Sequence, residues 1–309
     1  MQNQDNTWTK QTPYDRFSYF IALKIDRYKM LIQTIEKLGL KSMVISVAGN
    51  KHIFIFPPGL KLRTLTLEGV FPYAGKSPYI FTAHYDRVAG SPGANDNGIA
   101  VFHLLKAALI LAQRYIDRWM IIFTDKEELA SGESFESQGS FTLAQKLKSW
   151  GLEKAKIFNF DACGTGDTFI FSTITDLVLG NNDNPNISKV KNEIRQLRNH
   201  TLETANLLRL EKFLLAPTPF CDDMGFLRAG FAAQTITMLP SEEASQYEEI
   251  LRKHPDFYKL LISGKIKNAP ERRHLPQTWK NINTPADTPD RLTCQYFDQT
   301  VNFIVELCR

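Results

Sequence analysis

An apolar strand, a turn-rich loop and an apolar helix follow one another between Tyr79 and Tyr115, and this β-loop-α unit constrains the fold most strongly. The run Tyr79-Ile80-Phe81-Thr82-Ala83 is apolar and β-prone, so it reads as a buried strand. Ser91-Pro92-Gly93-Ala94-Asn95-Asp96-Asn97-Gly98 is a string of turn formers, and a helical pattern covers about Gly98 to Tyr115. Apolar strands and helices keep alternating along the chain with no internal repeat, which implies a sheet covered on both faces. Further strands are expected at Met43 to Val47, His52 to Phe56, Thr64 to Leu67, Trp119 to Thr124, Lys156 to Phe160 and Ala233 to Met238. Further helices are expected at Tyr14 to Leu38, Ser140 to Trp150, Ser188 to Leu210 and Thr293 to Leu307.

No linker divides the 309 residues, so a single domain over 1–309 is expected. From Ser241 to Gln277 the chain turns polar and charged, with short helical patterns at Glu243 to Lys253 and Pro255 to Ser263. It reads as a helical insertion at 241–278 on the active-site side, and as surface decoration rather than a lid.

Composition excludes some partners. A net charge of +4, with no dense Lys/Arg tract interleaved with aromatics, argues against nucleic acid. The longest apolar helical run, Val101 to Leu111, is interrupted by His103 and Lys106 and is too short to span a bilayer, so no membrane role is expected. The first residues lack the basic-then-apolar pattern of a secretory signal. Cys163, Cys221, Cys294 and Cys308 are widely separated, with no CxxC pair, and read as reduced thiols of a cytoplasmic protein.

The chemistry gathers at strand ends. His84 and Asp86 stand where the strand from Tyr79 emerges and share a face, while the turn formers bring Asp96 back to the same mouth. The strand Trp119 to Phe123 leads into Thr124-Asp125-Lys126-Glu127-Glu128. Neighbouring side chains diverge, so one carboxylate can bind a metal while the other faces the metal-bound water. Asp161 follows the strand ending at Phe160. Open α/β sheets bind ligands at such carboxyl ends. Taken singly, a His-x-Asp is an ordinary surface pair, a Glu-Glu doublet a solvated face and an Asp after a strand a helix cap. The ordered set, each member following an apolar strand, argues for a metal site.

HYD at 84–86, GANDNG at 93–98, EE at 127–128 and FNFDACG at 158–164 resemble metallopeptidase family twenty-eight, the co-catalytic zinc aminopeptidases with glutaminyl cyclases as relatives. Looser similarity continues at FCDDMGFLRAGFAAQTITM, 220–238, and INTPADTPDRL, 282–292. The resemblance implies an α/β fold of three αβα layers around a mixed, mostly parallel sheet of about eight strands, and a strained peptide link after Asp96. It implies that His84 and Asp161 hold one zinc, that Asp96 bridges to a second, and that Glu128 holds the second. Asp86 would orient His84, and Glu127 would be the general base.

The chain departs from the family at Asn283, where a histidine ligand is expected. An amide oxygen is a poorer zinc ligand than imidazole. The expectation is therefore one zinc, or a weakened second site holding another divalent ion through Asp96, Glu128 and Asn283, or a protein without turnover. His274 is a candidate substitute ligand. Cys221-Asp222-Asp223 stands where the family often carries a Ser-Asp-His-like element, and these residues receive no role. The function implied is an aminopeptidase-type hydrolase in which metal-bound hydroxide, with Glu127 as base, cleaves an amide of a small peptide or amino-acid amide. The alternatives are a one-zinc glutaminyl cyclase-like acyltransferase and a metal- or peptide-binding member without turnover.

Overall fold

The computed structural model describes residues 6–58, 78–130, 133–180, 184–219, 221–263, 266 and 269–309. Its strands are β1 Ser42–Val47, β2 Asn50–Ile55, β3 Tyr79–His84, β4 Trp119–Thr124, β5 Lys156–Phe160, β6 Thr168–Ser172, β7 Phe213–Ala216 and β8 Ala233–Leu239. They form one eight-stranded sheet in the order β1-β2-β4-β3-β5-β8-β6-β7. The centre, β4-β3-β5-β8, is parallel, β6 and β7 are parallel to each other, and antiparallel pairings join β1 to β2, β2 to β4 and β6 to β8. This is the mixed, mostly parallel sheet expected.

The helices are α1 Phe17–Phe20, α2 Arg27–Lys37, α3 Ile99–Gln113, α4 Gly139–Ser149, α5 Ile174–Leu179, α6 Pro185–Leu207, α7 Asp222–Arg228, α8 Ser241–Lys253, α9 Phe257–Ile262, α10 Gln277–Asn281 and α11 Phe297–Glu306. Alternation along the strands sorts the core into two faces. Phe81, Ala83, Ile121, Phe123, Phe158 and Phe160 pack with α3 and α11, while Ile80, Met120, Ile122 and Ile157 pack with α4 and α7. A third cluster joins Ile170 of β6 to Tyr247, Phe257, Leu261 and Trp279, which seats segment 241–278 against the sheet's far end.

The strand order positions the site. From β3 the chain crosses through α3 to β4 on one side; it then returns through α4 over β3 to β5 on the other. Right-handed crossovers in opposite directions put α3 and α4 on opposite faces and open a crevice at the carboxyl end of β3. His84 is the last residue of that strand.

The structure departs from the expectations at two places, and one expectation is not tested. The single helix expected from Tyr14 to Leu38 is broken, because Asp26 restarts the chain as a cap whose side chain accepts from Lys29 N at 3.1 Å. The carbonyls of Ile21, Ala22 and Leu23 accept from the Arg87 guanidinium at 2.7 to 2.9 Å. Strands β6 and β7 went unread, being short and embedded in turn-rich sequence. The strand expected at Thr64 to Leu67 lies outside the described residues.

Candidate metal centre

Register pairs His84 with Thr124 across β3 and β4, so the turn after Thr124 begins beside the imidazole. The ring is fully buried. Its Nδ1 lies 3.4 Å from Asp86 Oδ1, and its Nε2 lies 2.9 Å from Asp96 Oδ1 and 3.8 Å from Asp161 Oδ1. Asp86 reaches further, accepting from the backbone amides of Glu127 at 3.2 Å and Glu128 at 3.1 Å. One carboxylate thus stands between the imidazole and the glutamate turn, bonded to the turn.

The Asp96 loop is sewn to its surroundings by side chains. The Asp96–Asn97 peptide is cis. Asn97 donates to Phe160 O at 2.8 Å and accepts from Ala162 N at 3.3 Å, and Asn95 Oδ1 accepts from Gly164 N at 2.8 Å. Both Asp287 oxygens accept loop amides, Asn95 N at 2.8 Å and Asp96 N at 3.0 Å. Gly93 has φ of 59°, and a Cβ there would meet Asp96 O at 2.6 Å, so the loop requires glycine. Arg27, at the start of α2, donates to carbonyls on both sides of this loop, and burial draws its pKa down to about 9.

One donor atom from each of His84, Asp96 and Glu128 lies within 4.8 Å of the others. Ligands of one tetrahedral zinc stand roughly 3.3 Å apart at bond lengths near 2 Å. The His84–Asp96 and His84–Asp161 separations of 2.9 and 3.8 Å bracket that spacing. Neither imidazole nitrogen has a hydrogen bond of good geometry, despite the crowding carboxylates. Burial, with repulsion from Asp161, raises the Asp96 pKa. Burial also drives Glu127 well above the ordinary carboxylate range; His84 opposes the shift, and Glu128, Asp161 and Asp222 add to it. Buried acids facing so few cations, around an imidazole without proper hydrogen bonds, are the environment a divalent cation satisfies.

All the residues singled out at the three strand ends, His84, Asp86, Asp96, Glu127, Glu128 and Asp161, therefore converge. Asn283 occupies the turn leading to Asp287 with φ of 61°. His274 packs within segment 241–278, its ring 5.6 Å from that of His254 and its Nε2 3.3 Å from Arg273 Nε. Asp222 and Asp223 are fully buried, and Asp222 accepts from Thr124 Oγ1 at 2.5 Å. Burial raises their pKa values to about 6 and 7. Sequence reasoning missed Arg27, Gln138, whose Nε2 is 3.5 Å from Glu127 Oε1, and the contacts of Asp287. A cleft of about 210 Å³ lies between Glu243, Gln277 and Thr278 of segment 241–278 and Asn95 and Asp287 of the loop region.

The mixed eight-stranded sheet with helices on both faces is a zinc aminopeptidase fold. Within that class the chain belongs to peptidase family M28, whose family model matches residues 68–307. The Bacillus subtilis zinc aminopeptidase BSAP is 18% identical with a TM-score of 0.52, over 83% of this chain and 49% of its own. The chain thus spans about half the length of that enzyme. The glutaminyl cyclase of Porphyromonas gingivalis is 16% identical with a TM-score of 0.61, covering 95% of this chain and 94% of its own. The LapA aminopeptidase of Legionella pneumophila is 13% identical with a TM-score of 0.59, over 98% of this chain and 69% of its own. No curated protein matches the chain. Among the described residues no helix is long and apolar enough to cross a membrane, and all four cysteines are unpaired.

Proposed function

We propose that the chain is a zinc-dependent hydrolase of the aminopeptidase type, cleaving an amide bond next to a free amine in a small peptide or amino-acid amide. The observation that carries this reading is the convergence of His84, Asp96 and Glu128 in one crevice with Asp161 3.8 Å from the imidazole. His84 and Asp161 would hold one ion, Asp96 would reach both positions, and Glu128 with Asn283 would serve the second. Zinc bound there would polarise the scissile carbonyl and acidify a water to near neutral pH. Asp86, facing Nδ1, fixes the ring so that Nε2 points at Asp96 and Asp161. Glu127 is buried beside the cluster, with Gln138 near its Oε1. It takes a proton from the attacking water and returns it to the leaving amine.

Asn283 makes the second position the weaker one, so one zinc, or zinc with a harder ion, is the proposed loading. Segment 241–278 is proposed as an insertion in a single domain. The cleft it shares with Asn95 and Asp287 suits it to bound the substrate. The unpaired cysteines support a reducing, cytoplasmic setting. A glutaminyl cyclase-like reaction is the second reading, favoured by the weakened second position and the near-complete overlap with the P. gingivalis enzyme.

Metal content per chain, with assays of aminoacyl-p-nitroanilides and glutaminyl peptides under Zn, Mn and Co, separates the readings. Amine release supports the hydrolase, and ring closure supports the cyclase. Glu127→Gln is expected to lower turnover by about 10² to 10⁴ while leaving zinc content intact. Unchanged hydrolysis in that variant would remove Glu127 from the mechanism.

A further inference from the structure

Arg27 lies outside the span matched by the family model and is buried, yet its guanidinium grips the metal-ligand loop. Its Nη1 donates to Tyr85 O at 3.3 Å and Asp86 O at 3.2 Å; its Nη2 donates to Pro92 O and Gly93 O, both at 2.7 Å. The first pair belongs to the arm leaving His84, and the second to the arm arriving at Asp96. Arg87 returns the grip from the loop, donating to Ile21 O, Ala22 O and Leu23 O at 2.7 to 2.9 Å.

Helix propensity does not explain this residue. A cation at the first position of a helix opposes the helix dipole, which favours negative charge there. Burying it is costly as well unless its donors are satisfied, and here both Nη groups are, while Nε is not. The tertiary partners account for the choice, since a planar fork holds all four carbonyls in fixed geometry, whereas an ammonium has only three donors at one point.

We infer that Arg27 is a positioning residue of the metal centre, fixing the spacing between the His84 and Asp96 arms, so that the amino-terminal helical segment is a working part of the site. Through Asp86, whose carbonyl it holds and whose side chain meets His84 and the amides of Glu127 and Glu128, the same contact reaches the glutamate turn. Through Gly93 it sets the approach of Asp96, since Gly93 O also accepts from Gly98 N at 3.0 Å. This inference rests on the metal-centre reading above.

The test uses the full chain, with zinc affinity measured by chelator competition and site geometry by the visible absorption of bound cobalt. Arg27→Lys is expected to weaken zinc binding by about 10- to 100-fold and to alter the cobalt bands, as loss of a supporting partner does elsewhere. Leu31→Ala, in the same helix and fully buried, controls for general loss of stability. It is expected to lower the thermal midpoint of the metal-free protein while zinc affinity stays at the wild-type value. Should the lysine variant fail to fold, Arg27→Gln carries the same comparison. Wild-type affinity and cobalt bands in the Arg27 variant overturn the inference, as does an equal weakening by Leu31→Ala. A wild-type chain that binds no divalent ion overturns the metal reading and this inference with it.

Discussion

In the proposed metal centre, Asn283 is the residue on which the number of metals would turn. Its backbone sits at φ of 61°, a region that asparagine and histidine tolerate better than most side chains. Histidine can therefore replace it without a new backbone penalty and would offer a nitrogen in place of an amide oxygen. Asn283→His is expected to raise second-site zinc affinity at least about tenfold, or about 1.4 kcal/mol. Zinc bound per chain, titrated with and without the substitution, should then move from one toward two. An unchanged titration would mean that Asn283 does not face the second position. The primary cluster was legible because His84, Asp96, Glu127, Glu128 and Asp161 carry their chemistry in side chains at recognisable strand ends. Arg27 and Asp287 were not. They act on carbonyls and amides, and backbone partners leave no mark on the identity of the residues they bind.

Elements were readable where burial on both faces made long apolar runs, as in β3, β4 and β5, whose bounds lie close to those expected. They were unreadable where tertiary contacts replaced local ones. The break between α1 and α2 follows from carbonyls that accept from Arg87 instead of continuing the helix. Helix α3 carries a feature that composition hides, the fully buried His103, whose Nδ1 lies 2.9 Å from the Tyr14 hydroxyl. Burial lowers its pKa to about 3. An unfolded histidine takes up a proton near pH 6.5, whereas the folded one stays neutral to about pH 3. The stability it confers is complete above pH 6.5 and is lost as pH falls, by about 1.4 kcal/mol per unit. His103→Gln removes that titration and keeps an acceptor for Tyr14. Denaturant unfolding at pH 6, 5 and 4 should show a shallower loss of stability in the variant by about that amount per unit. Equal slopes would show that His103 is protonated in the folded state.

At the scale of the whole molecule, the sheet is arranged around a concentration of buried acid that the cations among the described residues do not balance. Asp96, Glu127, Asp222, Asp223 and Asp287 are all buried with raised pKa values, and the neighbouring positive groups are His84 and Arg27. Folding brings them together, so the metal-free fold carries repulsion that the unfolded chain does not. A divalent ion that binds only the folded state adds RT ln(1 + [L]/Kd), about 2.7 kcal/mol when the free ion is at 100 times its dissociation constant. Unfolding entropy of about 2.1 cal/mol/K per residue gives about 0.65 kcal/mol/K for a chain of this length, so that gain corresponds to about 4 °C. Stripping the protein with a chelator should lower its melting temperature by about this much, and zinc should restore it. An ion held as proposed would act at the junction of β3, β4 and β5, so the shift should be abolished when Asp96, which reaches His84 at 2.9 Å, is replaced by Ala. Calorimetric scans of both chains with chelator and with zinc decide the matter. A wild-type midpoint insensitive to zinc, or a zinc response that survives Asp96→Ala, would place the stabilising ion somewhere other than this crevice.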